Sequence, residues 1–387
     1  MLVHNTIASR PAGAFLPGVP LSLQESIDRG EVSGAVGMVA SEDGVLAIET
    51  AGYSDLAARS PMRPDAVFWI ASMSKPFAGT AIEMLVEEEK VKIDDAVEKY
   101  LPEFRSLWVR AEESDSRLVL HRPKRPITLR DLLTHTSGLV PRSALESPRV
   151  DRLSLQDNVR GYTLEPLQFE PGTGCVYSSP GINTAGRIVE VVSGMRYEEF
   201  LQRRLFAPLG MRDTAFRPEP EQVTRLAKSY RRATKGELEE TPIDCLSYPL
   251  NDGHRGVCPG GGLFSTASDL ALFCRMILKS GSLDGRHYLS SARVKEMTSV
   301  HTGGLYFEEG RTDSGWGLGW RVMRLGKGPD GPVSEGSFGH GGAYATNMWI
   351  DPPRGLITIF LVQQADFPAA ERVAAIAAFR QAAIAGR

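Results

Sequence analysis

Residues 68–78 read Phe-Trp-Ile-Ala-Ser-Met-Ser-Lys-Pro-Phe-Ala, and the fold turns on what this stretch does. Pro76 has no N–H, and the first turn of a helix is the one helical place where a missing donor costs nothing. A helix is therefore expected to start at or near Ser72. There the Ser72 hydroxyl sits at the positive end of the helix dipole, and Lys75, three residues on, lies one turn away on the same face. Nucleophile and ammonium become neighbours. The first half of this helix is apolar all round, which predicts burial between two layers, and Glu87 to Lys90 read as its solvated end.

Upstream, Leu21 to Gly30 has the pattern of a short amphipathic helix. Gly34 to Ala40 and Val45 to Tyr53 read as strands, and Ser41 to Gly44 has the composition of a hairpin turn between them. Downstream, residues 102–126 are polar and irregular, with Arg122 to Pro126 as a loop, and read as an excursion leaving the sheet domain with little strand pattern. Thr128 and Asp131 form a capping-box pattern ahead of Leu132 and Leu133, opening a short helix that Gly138 closes. His135 follows, and with no acidic orienter beside it, it reads as a histidine held in local turn hydrogen bonds, not as a base. Tyr177 falls at a turn-to-helix junction after Pro171 to Gly174. Phe200 to Gly210 and Ser268 to Lys279 are further helices.

The strand signal returns in Gly317 to Met323, Ser337 to Gly341, Ala345 to Ile350 and Leu356 to Val362, with a turn over Asp351 to Gly355. An alanine-rich helix from Pro368 to Ala385 follows. Sheet at both ends and helices between predict an α/β fold, an antiparallel sheet flanked by helices with an inserted, mostly helical lobe. The expected boundaries are 1–105 for the first part of the sheet lobe, 106–290 for the helical lobe and 291–387 for the rest.

Composition excludes several functions. Among 387 residues, 44 Lys and Arg against 47 Asp and Glu leave a net charge of −3 with no basic stripe, so nucleic acid is not an expected partner. His4, Arg10 and three prolines break the first twenty residues, so no signal peptide is expected there and the location is read as cytoplasmic. The longest strongly apolar run, Leu356 to Val362, is too short to span a bilayer. Cys175, Cys245, Cys258 and Cys274 lie far apart and read as structural thiols. The seven histidines are scattered without metal-ligand spacing, and no cofactor motif occurs, so neither metal nor cofactor is expected. The oligomeric state is not encoded.

Ser72-x-x-Lys75, Tyr177-Ser178-Ser179 and His340-Gly341-Gly342 occur in the order of a known motif set. They resemble the serine β-lactamase and penicillin-binding-protein superfamily, in the branch of class C enzymes, family VIII carboxylesterases and D-amino-acid peptidases. Leu132 to Leu139, Gly261 to Leu270 and Phe338 to Ala343 add to the resemblance, which covers residues 20–385. It implies Ser72 as the nucleophile of an acyl-enzyme and Lys75 and Tyr177 as a coupled general base and acid; a charged Lys75 can push the phenol toward phenolate, the two titrate as one unit, and the sequence does not decide which holds the proton. It also implies an oxyanion hole from the Ser72 and Ala343 amides, and substrate contacts from Ser179, His340, Gly341 and Gly342. Trp69, Phe338 and Tyr344 are expected to wall the acyl pocket, and the two glycines to let substrate approach the strand edge.

Two departures bear on substrate. The second motif usually ends in Asn and here ends in Ser179, and the third is often K-T-G and here is H-G-G. A neutral His340 is a weaker anchor for a lactam carboxylate than a lysine, and esters need no such anchor. A carboxylesterase on small esters is expected. The alternatives are a β-lactamase or D-amino-acid amidase, and a non-catalytic ligand-binding or scaffold member of the fold.

Overall fold

The computed structural model describes residues 16–114, 117–234, 236–305, 312–328 and 331–386. The proposed absence of a signal peptide falls largely on residues outside this range. Helix α1 (Gly18–Asp28) leads into strands β1 (Gly34–Ala40) and β2 (Val45–Asp55), the expected hairpin, and then a short β3 (Ser60–Pro61). The chain returns to the same sheet only with β4 (Ser314–Trp316), β5 (Arg321–Met323), β6 (Phe338–Gly341), β7 (Asn347–Asp351) and β8 (Leu356–Leu361). The strand order is β4-β5-β6-β7-β8-β1-β2-β3, and every described pairing is antiparallel.

Period-two alternation decides which side chains face which layer. Val36, Met38, Ile357, Ile359 and Leu361 point into the larger core, while Ala35, Val39 and Phe360 point into a smaller one on the opposite face. The smaller core is covered by α1 and the C-terminal helix, α5 (Ala369–Ala385), which pack on each other and contribute Val19, Leu23, Ile376 and Phe379. The larger core holds α2 (Lys75–Glu87) and α4 (Ala267–Leu278), together with α3 (Ser179–Ser193) of the helical region. Every residue of α2 from Lys75 to Leu85 is buried, as its all-round apolar pattern requires.

Two strand readings need correction. Residues 102–126 are not all irregular, because Val109–Ser114 and Arg117–His121 pair as an antiparallel hairpin. Val109 and Ala111 stand among Arg and Glu, and Leu118 to Leu120 is a run of only three, so neither strand carries a clear alternation. The stretch 317–323 is not one strand. β4 and β5 are joined by a tight turn in which Gly319 adopts φ 80°, and the turn packs directly on α2: a Cβ on Gly79 would sit 2.1 Å from the Leu318 carbonyl. The sheet and the helix bearing Lys75 are thereby locked at backbone contact.

Candidate active site

Ser72 lies in a 3₁₀ turn (Ala71–Ser74) that runs straight into α2, with Pro76 in its first turn as the donor argument requires. Ala71, immediately before it, is held at φ 47°, a region disfavoured for any residue with a Cβ. The neighbouring segment Phe68–Trp69 pairs with Phe264–Ser265, which ties the turn to the loop before α4. The Ser74 hydroxyl donates to the Ala71 carbonyl and accepts from the Leu263 amide, so it is consumed in holding the turn.

Lys75 is fully buried. Its Nζ donates to Ser72 Oγ at 3.1 Å, to Ser179 Oγ at 3.3 Å and to the Gly260 carbonyl at 2.5 Å, so all three protons of an ammonium have acceptors. Burial nevertheless pulls its pKa from 10.5 to about 7. Tyr177 lies across the cleft with its ring centroid 4.6 Å from Nζ, and its side chain is hydrogen-bonded to Ser72. Burial pushes the phenol well above its ordinary range, and the Ser72 bond only partly offsets this. Of the two protonation states left open for the Tyr177–Lys75 pair, burial favours the neutral phenol.

His340 on β6 is buried, opposite Met348 of β7. Its Nδ1 stands 2.7 Å from the Gly341 carbonyl, which assigns the proton to Nδ1. Burial first, then the Lys75 charge, lowers its pKa to about 3. The imidazole is neutral at any physiological pH. His135 is buried too, at φ 62°, with Nδ1 accepting from the Ser178 amide at 3.2 Å. Its reading as a turn histidine agrees with this bond, yet its ring also stands 4.6 Å from that of Tyr177.

A cavity of about 400 Å³ opens from Ser72. Tyr177, His340, Gly341, Gly342 and Ala343 line its reactive end, and Trp316, Trp349, Val373 and Ile376, together with Arg321, Asn347 and Arg372, line the remainder toward the first turns of α5. Three expected pocket residues lie elsewhere. Phe338 is on the same face of β6 as His340 but one step deeper, against Trp320 at 5.2 Å in the main core. Trp69 and Tyr344 pack edge to face at 5.0 Å in a separate cluster, with Trp69 Nε1 donating to the Gly261 carbonyl. Gly342 is glycine for a different reason from the one expected. Its missing Cβ makes room for protein, since a Cβ there would lie 2.0 Å from Thr346 Oγ1 and 2.6 Å from the Ile70 carbonyl.

Sequence reasoning also missed groups that matter. The Gly260 carbonyl gives Lys75 its shortest contact, and Gly260 is in turn anchored by Asn183 Oδ1 at 2.8 Å from its amide. Backbone acceptors leave no residue-type signal. Trp316, Trp349 and α5 reach the cavity through sheet order, which no local pattern reveals.

A serine and a dehydrated lysine joined by a hydrogen bond, a phenol bonded to the same serine and a cleft that admits a small molecule define the class of serine hydrolases built on the S-x-x-K turn. The beta-lactamase family model matches residues 22–383, and the chain belongs to that family. Lovastatin esterase of Penicillium rubens is 30% identical over 381 residues, covering 88% of this chain and 91% of that protein. Esterase EstB of Burkholderia gladioli is 28% identical, covering 93% of each. Among solved structures, EstCE1, described as a hydrolase with promiscuous acyltransferase activity, superposes with a TM-score of 0.79 at 25% identity, covering 93% of this chain and 97% of that one. The chain is a serine hydrolase of this family. Among the described residues, no helix is long and apolar enough to cross a membrane.

Proposed function

We propose that the protein is a carboxylesterase on small esters that works through an acyl-enzyme on Ser72. The observation that carries this is the fully buried Lys75 amine, 3.1 Å from Ser72 Oγ with its pKa lowered to about 7. A base poised near the working pH removes a proton without an excessive penalty for being present in the free form. Ser72 Oγ attacks the ester carbonyl and its proton passes to Lys75. The oxyanion is held by the amides of Ser72 and Ala343, both at the reactive end of the cavity. Collapse breaks the bond to the alcohol oxygen, which takes the Tyr177 proton while Lys75 restores it. Water then repeats the sequence on the acyl-enzyme and regenerates Ser72. A phenol kept neutral by burial suits the donor's part.

Arg321 and Arg372 line the cavity, so the support for esters over lactams is local to the motif position, where His340 stands in place of a lysine. Held neutral, the imidazole offers no permanent charge to a substrate carboxylate. The esterase relatives, lovastatin esterase and EstB, support the same substrate class. The test is labelling with a fluorophosphonate followed by peptide mapping, alongside kcat/KM for a short-chain nitrophenyl ester, nitrocefin and a D-alanyl amide. Ser72 should carry the adduct and Ser72→Ala should carry none. Labelling at Ser74 or Ser137, or a preference for nitrocefin of about tenfold or more (about 1.4 kcal/mol), defeats the reading.

A further inference from the structure

His135 has no part in the proton transfers proposed above, yet it is held under several constraints at once. It is a non-glycine residue at φ 62°, it is fully buried, and its Nε2 has no hydrogen-bond partner. A left-handed conformation is uncommon outside glycine, and a buried ring nitrogen left unbonded costs about 1–3 kcal/mol. Such costs persist where the surroundings over-determine the residue, and they gather at functional sites.

What the residue holds is specific. The His135 carbonyl accepts from the Val176 amide at 3.0 Å, and the ring Nδ1 accepts from the Ser178 amide at 3.2 Å. These are the two amides that flank Tyr177. The His135 ring then lies 4.6 Å from the Tyr177 ring at 42°, and Trp316 closes the group at 4.5 Å from His135 and 5.6 Å from Tyr177. One residue thus fixes the backbone on both sides of Tyr177 and the plane of its ring. The left-handed φ lets the carbonyl and the ring of the same residue serve neighbouring amides. Since Nδ1 accepts, the proton is on Nε2, and the clamp requires a neutral ring.

We infer that His135 is a positioning residue that clamps Tyr177 in line with Ser72, and that its contribution to turnover passes entirely through the Tyr177 hydroxyl. This rests on the role proposed above for Tyr177. A misplacement of about 1 Å in a proton donor can cost on the order of 10² in rate, so losing the clamp should matter to kcat and little to KM.

The test is a double-mutant cycle with Tyr177→Phe, using a short-chain nitrophenyl ester. His135→Gly tolerates the left-handed φ and removes only the ring and its acceptor. In the wild-type background it should lower kcat roughly 10- to 100-fold with KM within about threefold. In the Tyr177→Phe background it should change kcat by less than about threefold, because the group it positions is gone. His135→Asn, which also tolerates this φ and supplies an acceptor, should restore most of the rate. His135→Ala is carried through the same cycle, so a folding failure of the glycine variant leaves the question answerable. Equal losses in both backgrounds overturn the inference and leave Tyr177 its role. Near-normal turnover by Tyr177→Phe alone overturns the role of Tyr177, and the clamp falls with it.

Discussion

On one side of the sheet, Val19 and Leu23 of α1 meet Phe360 of β8 and Phe379 of α5 in a cluster of apolar side chains. On the other side, around the Ser72 site, the protein buries Lys75, His135 and His340 and holds Ala71 and His135 at positive φ. Both regions bury side chains, and they answer to different demands. In the first, burying apolar surface is the whole interaction, at about 25 cal/mol per Å². In the second, dehydration is used against charge: it strips Lys75 of half its protonation near neutrality and leaves His340 neutral. The fold spends stability gained around Leu23 on chemistry around Lys75.

The sharpest way to break this comparison is to remove the charge itself. Lys75→Ala should lower kcat by ~10² to 10⁴ while leaving the cavity walls in place. The pH profile gives the companion result. The active base is the neutral amine, so kcat/KM of the wild type should rise with pH through an apparent pKa near 7. An acid limb below pH 5 would mean that a carboxylate, not Lys75, is the base.

The apolar side supplies the opposite experiment. Leu23 is fully buried, and Leu23→Ala should cost about 2–5 kcal/mol in urea unfolding through lost burial and the cavity left behind. Its kcat and KM at 25 °C should stay within about twofold of wild type, since surface far from the reaction contributes to folding alone. A large fall in kcat with retained structure would show that the two sides are mechanically coupled.

How much of this was legible in the sequence follows the same division. Pro76 and the all-round apolar run located α2, and strand-like runs bounded by turn residues located β1, β2 and β8, because each signal is local. Thr128 and Asp131 form the capping box as read, each side chain meeting the other's backbone. Ser72, Lys75 and Tyr177 converge as their motifs implied. The pocket walls were misassigned because they depend on which strand lies beside which. Phe338 and His340 share a face, and only the position of Trp320 decides that one is core and the other cleft. The protonation state of Tyr177 was left open for an electrostatic reason, since a sequence shows the neighbouring charge and not the depth at which the phenol is buried.

The smallest expected effect is also the most diagnostic, because its sign is opposite to that of an ordinary core substitution. Lys75 has a pKa of 10.5 when exposed and about 7 in the fold. Below pH 7 the amine is charged in both states, and the folded chain bears the full dehydration penalty. Between pH 7 and 10.5 the unfolded chain binds more protons than the folded one, so wild-type stability rises with pH. Above 10.5 the penalty is gone. Three and a half pKa units correspond to about 5 kcal/mol at most. Lys75→Met fills similar volume without charge but leaves the Gly260 carbonyl without its shortest donor, which returns about 1–3 kcal/mol. The variant should therefore be more stable than wild type by about 2 kcal/mol at pH 6.5, and the advantage should shrink or reverse by pH 10. Urea midpoints at the two pH values measure it. A difference that is the same at both would mean that Lys75 is hydrated in the folded protein, and the contrast between the two sides of the sheet would lose its physical basis.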